Sequence, residues 1–414
     1  MKNASVRFGL TLASSAILTL VPGPPVESAD WPRWLGPSQN GTASADGALS
    51  KPSLRLRKVW RHAIGGGRSG VVIADGRLFA LVTDGETQRA LALDATSGRV
   101  LWQVPVGPHV DASMAPVSAP AVEGSRVFVL GTDCSLRALA TATGERVWQV
   151  DLKQRFGSLL RRGCETSPFA ENGRVVLQPG GPDDHRVVAL DARNGDLIWS
   201  AKGVERANYS SPVAAEIAGV RQVVVHHVTV TPPQRSGLTG FRLEDGAMLW
   251  NRTFEANAST ETPLVLPGDR VLLATWNDAK LARLKREGEQ VAVESLWAKP
   301  VLRSRISPPV YKDGHVYGFN GDDLVCVRVE TGDVVWKERM YAGSLILVDD
   351  ALVILSASAG VLRVVDATPN GFRERTQLEV LNRGAQTETP PSFAAGMIFV
   401  RNDEEIVAIS VSPS

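Results

Sequence analysis

The sequence predicts an all-β protein: an eight-bladed β-propeller of four-stranded antiparallel blades, with the ring closed by pairing the N-terminal strand with the C-terminal strands. Three observations carry this. A phrase made of an apolar strand, a tight turn and a second strand ending in Trp recurs along the chain. Sustained helical periodicity is absent after the N-terminus. The repeat array opens on a Trp strand without partners and closes on three strands that no Trp strand follows.

The phrase is clearest at Ala92-Leu93-Asp94-Ala95-Thr96-Ser97-Gly98-Arg99-Val100-Leu101-Trp102. It returns at 138–148, with Gly144 and Trp148, and at 189–199, with Asp191, Gly195 and Trp199. Weaker copies end at Trp250, after Gly246, and at Trp336, after Gly332. Trp60, Trp102, Trp148, Trp199, Trp250, Trp297 and Trp336 follow one another at intervals of 39 to 51 residues. Self-similarity at that period marks a propeller, solenoid or array. Short β-branched runs such as Val127-Phe128-Val129-Leu130 and Val223-Val224-Val225 make the units strands. Four short strands per unit build one blade, and a ring of blades leaves only short edges. Each turn Gly supplies the positive φ of a tight turn. Asp94 and Asp191 are placed to bond the turn backbone. Trp102, Trp148, Trp199, Trp250 and Trp336 are expected as structural docking residues, filling the gap to the next blade and donating an indole N–H.

This phrase resembles the Trp-docking repeat of the quinoprotein (PQQ-like) β-propellers, A-x-D-x-x-T-G-x-x-x-W. That superfamily includes the outer-membrane protein assembly factor BamB family and the PQQ-dependent alcohol dehydrogenases. The resemblance spans about residues 55–410. It implies the fold far more strongly than an activity, because one fold hosts many functions.

Taken in order, residues 1–28 read as a signal peptide, with Lys2 and Arg7 before a short apolar core from Phe8 to Val21. No Cys lies near its end, which departs from the lipoprotein anchor typical of BamB proteins. Residues 29–54 read as a leader packed on the propeller. Its Trp31-Pro32-Arg33-Trp34-Leu35-Gly36-Pro37 resembles the W-P-x-W-x-G-P leader of secreted bacterial PQQ-like propellers of unassigned function. Residues 55–414 form the propeller. Val59-Trp60 is expected to pair with the strand at 406–411, which closes the eighth blade. The seventh unit carries Thr376-Gln377-Leu378 where its Trp should stand, and the fifth is irregular around 285–293. Seven blades would follow if that fifth unit is not a blade.

Of the cysteines, Cys134 in the second blade and Cys164 just before the third are a candidate disulfide pair. Cys326, in the sixth blade, is expected as a free, buried strand residue. The vicinal Cys pair of the PQQ alcohol dehydrogenases is missing, as are C-x-x-C motifs.

Net charge is +1, so no global field recruits nucleic acid. No nucleophile elbow, His-Glu-x-x-His or P-loop occurs. His226 and His227 are adjacent on a strand and face opposite sides, so no metal site is expected there. Asp183-Asp184-His185 reads as a solvated turn. The segment 229–236 reads as a surface loop and a contact candidate.

A Pro-containing phrase precedes the first strand of most blades, at Ser118-Ala119-Pro120, Thr166-Ser167-Pro168, Ser210-Ser211-Pro212 and Ser307-Pro308-Pro309. Side chains just before the Pro should face a funnel at one end of the ring. The candidate ligand-binding residues there are Arg68, Glu165, Tyr209, Glu261, Arg305 and Glu388, with Arg161, Arg162, Arg303 and Arg383 nearby. Glu261 is one place out of register with Glu165 and Glu388. Arg forks suit carboxylates and phosphates.

These residues favour a secreted or periplasmic, non-enzymatic, monomeric propeller that binds an envelope protein or polar ligand through its funnel face, with no cofactor, no metal, no nucleic acid and no membrane span after signal removal. One alternative is a quinoprotein dehydrogenase using PQQ with calcium. Another is a polysaccharide-binding module using Trp31, Trp34 and Trp276.

Overall fold

The computed structural model describes Met1 and residues 30–51, 53–109, 117–158, 164, 166–182, 185–202, 210–228, 235–255, 262–288, 290–303, 307–384 and 387–413. Among these residues eight sheets form, each built on four antiparallel strands; in seven of them the four follow chain order, and Thr42–Ala43 adds a parallel fifth strand to the seventh. Blades 1 to 7 cover residues 72–108, 121–151, 169–201, 213–255, 264–299, 310–339 and 343–379. Blade 8 joins the ends of the chain: Leu54–Ala63 is its outer strand, against Glu405–Pro413, Met397–Arg401 and Ser392–Ala394. Trp60 pairs with Ala408 and Leu56 with Val411, so the ring closes as the sequence predicts. Blade 5 is a full blade, whose strands Ala279–Glu287 and Gln290–Lys299 run as one long hairpin. The alternative of seven blades is thereby overturned.

Regular helix among the described residues is one short turn, Leu152–Phe156. The Asp151 carboxylate caps it by accepting the N–H groups of Lys153 and Gln154, and Gly157 ends it at φ 64°. The Cys134–Cys164 disulfide lies beside this turn, and Cys326 is free and buried. Burial pushes the Cys326 thiol up to about 11.

The core lies between blades. Strands two and three of each blade alternate their apolar side chains onto both neighbours, as Val127 and Val129 do toward blade 1 while Phe128 and Leu130 face blade 3. A docking Trp completes six of the eight layers. Trp60 donates to Ala95 O (2.9 Å), Trp102 to Thr141 O (2.9 Å) and Trp148 to Ala192 O (3.1 Å), all in the turn of the following blade. Trp199 reaches Leu243 O (3.0 Å), Trp297 Val329 O (2.8 Å) and Trp336 Thr368 O (2.8 Å) in the same way. The repeated Gly has a second role beyond its positive φ. A Cβ on Gly144 would lie 2.7 Å from the Trp102 ring, and one on Gly98 2.6 Å from Trp60. The turn Gly is thus the floor on which the preceding Trp rests. At the turn of blade 3, the Arg193 side chain and backbone N–H hold the Asp191 carboxyl down to about 2.

Candidate functional site at the funnel face

Each innermost strand starts at one end of the ring, in most blades just after the Pro-containing phrase, and runs to a hairpin at the other end. The phrases are stitched to one another by hydroxyls. Ser118 Oγ donates to Thr166 O (3.1 Å), Ser344 Oγ to Thr389 O (3.0 Å), Thr389 Oγ1 to Arg68 O (2.6 Å) and Ser392 Oγ to Val71 O (2.7 Å). Ser167 Oγ and Ser211 Oγ accept the N–H groups of Ala119 and Ser167, each at 2.9 Å. Several of the small hydroxylated residues here bond the backbone of a neighbouring blade around the axis.

On this belt Arg68 Nη1 lies 3.0 Å from Glu388 Oε2, joining blade 1 to blade 8. The Glu388 side chain is 48% exposed and that of Arg68 24%. Two of the six candidates are therefore brought together as a solvent-facing ion pair. Glu165, Tyr209, Glu261 and Arg305 lie outside the described residues, as do Arg161 and Arg162. Arg303 bonds Asn320 Oδ1 (2.9 Å). Arg383 pairs with Glu379, the last residue of the outer strand of blade 7.

The axis is not empty. The leader rises into it from the hairpin end. Asp30 accepts from Asp75 N in the first hairpin of blade 1. Trp31 exchanges both backbone bonds with Ile73 (2.9 and 2.8 Å), and Pro32 O accepts from Val122 N of blade 2 (2.8 Å). The Arg33 guanidinium lies 5.1 Å from the Phe169 ring centre in blade 3. Trp34 packs on Gly70 and donates across the axis to Thr262 Oγ1 of the blade 5 phrase (3.2 Å). The Gln39 carboxamide binds blade 4 twice, giving Nε2–H to Pro212 O and accepting Ala214 N–H, both at 2.9 Å. Gly41 packs on Val310 of blade 6. Thr42–Ala43 then pairs in parallel with Gly343–Val348 of blade 7. The leader touches blades 1 to 7 before it becomes the outer strand of blade 8.

This path corrects the reading of Trp31 and Trp34 as an exposed aromatic patch with Trp276. Trp31 is 2% exposed inside the core, and Trp34 is half-buried in the channel. Trp276 alone is surface-facing, at 42%. His226 and His227 are both buried and bond different hydroxyls, Ser236 Oγ (2.5 Å) and Thr239 Oγ1 (3.0 Å). Among the described residues no cluster of three His, Cys, Asp or Glu side chains is placed to hold a metal ion. No helix among them is long and apolar enough to cross a membrane.

The family model described as outer membrane protein assembly factor BamB matches residues 56–162 and 152–338. The chain belongs to that family. It is 26% identical over 308 residues to the outer membrane protein assembly factor BamB of Shewanella oneidensis, covering 72% of this chain and 70% of that one. Among solved structures, BamB from Moraxella catarrhalis superposes with a TM-score of 0.59 at 14% identity, over 86% of this chain and 98% of that chain. The quinohemoprotein alcohol dehydrogenase of Comamonas testosteroni superposes with a TM-score of 0.70 at 13% identity, over 92% and 80%. At those identities the structural likeness shows the fold alone.

Two residues of this BamB-family chain escape the repeat pattern yet hold the site together. Arg401 is fully buried at the closing seam, where burial pushes its guanidinium down to about 9. It donates to Gly67 O (2.5 Å), Ser69 O (3.0 Å) and Leu81 O (3.1 Å), and so fixes the segment that carries Arg68. Gln39 does the same for the leader. The signal for Arg401 is an Arg ending the apolar run Met397-Ile398-Phe399-Val400; Gln39 carries none.

Proposed function

We propose that the protein is a non-enzymatic, monomeric propeller of the periplasm or extracellular space that binds an envelope protein or polar ligand through its funnel face. The observation that carries this is the pairing of an exposed Arg68–Glu388 ion pair at the rim with an axis filled by Trp34 and Gln39 beneath it. Recognition then falls on the rim, with Glu165, Tyr209, Glu261 and Arg305 as further proposed contacts. Family membership supports a role in assembly of envelope proteins. The disulfide supports an oxidising compartment.

A site for PQQ, a flat tricarboxylate, needs several cationic or polar groups, an apolar wall and oxygen ligands for calcium. The described residues do not fit it. Arg68 is engaged by Glu388, and the space below is taken by the leader. The cysteines joined are 30 residues apart rather than adjacent. The test is affinity capture from envelope extract with the wild type and Arg68→Glu, alongside calorimetric titration with PQQ plus calcium and a dye-linked assay on alcohols and aldoses. Capture of a partner by the wild type, lost in Arg68→Glu, is expected. Micromolar PQQ binding with turnover would replace this reading by the dehydrogenase.

A further inference from the structure

We propose that the axial channel is a binding site for a peptide with strand-paired ends and a turned middle, which the chain's own leader fills from within. The innermost strand of every blade is a sheet edge, and its outward N–H and C=O groups have no partner in the blade itself. The leader answers them at several blades. It pairs with Ile73 through Trp31 in both directions and caps Val122 N–H through Pro32 O. It runs parallel to Gly343–Val348 through Thr42 and Ala43. At blade 4 the Gln39 side chain copies a peptide unit, meeting Pro212 O and Ala214 N–H at once. At its two ends this is recognition by strand addition, where main-chain bonds hold the peptide, and between them side-chain sockets choose it.

The sockets are specific. Trp31 and Gln39 are almost wholly buried, at 2% and 3% exposure. Gly36 lies flat on the Trp31 ring, where any Cβ would come within 2.8 Å. The ligand class is therefore a peptide of the pattern Trp-Pro-x-Trp-x-Gly followed by a Gln three residues on, folded into turns between Arg33 and Gly41, where Gly36 N–H bonds Arg33 O and Gly41 N–H bonds Leu35 O. None of these contacts depends on the leader being joined to the ring. Covalent attachment supplies only a high local concentration, of order millimolar for a short link. A peptide of this pattern from outside is excluded while the leader is seated and binds once the leader's anchors are cut. This inference is independent of the funnel reading.

The test uses the full chain and a labelled synthetic peptide of residues 30–43. Hydrogen exchange is read at the Ile73, Val122 and Ala214 amides, whose acceptors all belong to the leader. In the wild type these amides exchange slowly and the peptide does not bind. In Trp34→Ala/Gln39→Ala they exchange at least about tenfold faster, and the native peptide binds and restores protection. A peptide with the same two Ala substitutions binds about tenfold or more weakly, the loss expected for removing one or two good hydrogen bonds. The single variant Gln39→Ala, which leaves every leader backbone bond in place, gives the same readout at Ala214 if the double variant fails to fold. Unchanged exchange in the variants, failure of the native peptide to bind a loosened chain, or equal binding of the two peptides each overturns the proposal.

Discussion

Six seams of the ring are closed by a Trp resting on the turn of the next blade, and two are not. At the seam from blade 4 to blade 5, Trp250 still packs against Val271 and Leu273 of blade 5. Its indole N–H, however, goes to Gln222 Oε1 of its own blade (2.8 Å). The reason is the target. The long Ala279–Glu287 hairpin of blade 5 has no tight Asp-x-x-Thr-Gly turn at the docking height, so no carbonyl is offered. At the seam from blade 7 to blade 8, Thr376 occupies the register of the Trp, paired with Val364 beside the usual bulge. Blade 8 offers no turn there at all, because its two outer strands come from opposite ends of the chain. At these same two seams the outer strands of neighbouring blades come into direct contact. Arg252 reaches Ser295 Oγ (3.2 Å) at one, and Arg61 reaches Val380 O (3.2 Å) at the other. Trp and turn therefore act as one unit: where the turn is lost, the Trp is turned inward or replaced, and the outer strands close the gap.

The largest expected effect concerns the closing blade, which has no Trp entering it from blade 7. Removing residues 55–62 takes away the outer strand of blade 8 and leaves Glu405–Pro413 an open edge. The deletion should abolish the single cooperative melt of the ring, as followed by circular dichroism. A truncated chain that melts at the full-length temperature would mean that this pairing does not hold the ring.

Next in size are the docked indoles. Trp102→Ala, Trp148→Ala and Trp199→Ala should each cost about 3–5 kcal/mol in denaturant unfolding, the usual range for emptying a large buried aromatic site. These three are between 7% and 9% exposed. A loss under about 1 kcal/mol, the scale of surface substitutions with some margin, would show that the indoles are not structural.

Blade 4, whose Trp is turned inward, also carries a buried histidine. Burial holds His227 down to about 4 from an ordinary 6.5. Between those values the unfolded chain takes up a proton that the folded chain refuses. This stability is fully present above about pH 6.5, falls as pH drops toward 4, and is flat below; the whole window is worth about 3 kcal/mol. His227→Gln should be less sensitive than the wild type when unfolding at pH 7.5 is compared with pH 4.5. Equal losses in the two proteins would assign the acid sensitivity to other groups.

How much of this was legible follows from the range of each interaction. The blades were readable because Trp, Gly and the strand alternation repeat at fixed offsets. Even the missing Trp of blade 7 showed at Thr376-Gln377-Leu378. The Arg68–Glu388 pair was half readable: the Pro phrase places Glu388 at the funnel, but no local pattern joins it to Arg68, 320 residues away. The leader's path was not readable. Gln39 sits among Pro, Ser, Asn and Gly and reads as a polar turn, while its partners are backbone atoms of Pro212 and Ala214, which carry no side-chain signature. Arg401 misleads for the same reason, since a cation at a strand end suggests solvent, and the carbonyls that bury it belong to the far end of the chain.

The smallest predicted effect tests whether Gln222 truly stands in for a turn. Trp148→Phe leaves the buried Ala192 carbonyl without its donor, a loss of about 1–2 kcal/mol that no second substitution can relieve, because the acceptor is backbone. At Trp250 the acceptor is a side chain. Trp250→Phe strands Gln222 Oε1 in the core, beside Gly240, where a Cβ would come within 2.7 Å of it. Gln222→Leu removes that stranded oxygen, though it also frees Ile217 O, which accepts from Gln222 Nε2 (2.9 Å). That second loss appears in the single and the double variant alike, so a double-mutant cycle subtracts it. The cycle between Trp250→Phe and Gln222→Leu should return a coupling of about 1 kcal/mol, the net worth of one buried hydrogen bond. Trp148→Phe with Gln222→Leu, in separate blades with no shared partner, should be additive within about 0.5 kcal/mol. Additivity at both pairs would mean that the indole of Trp250 is held by packing alone, and that Gln222 does not stand in for the turn.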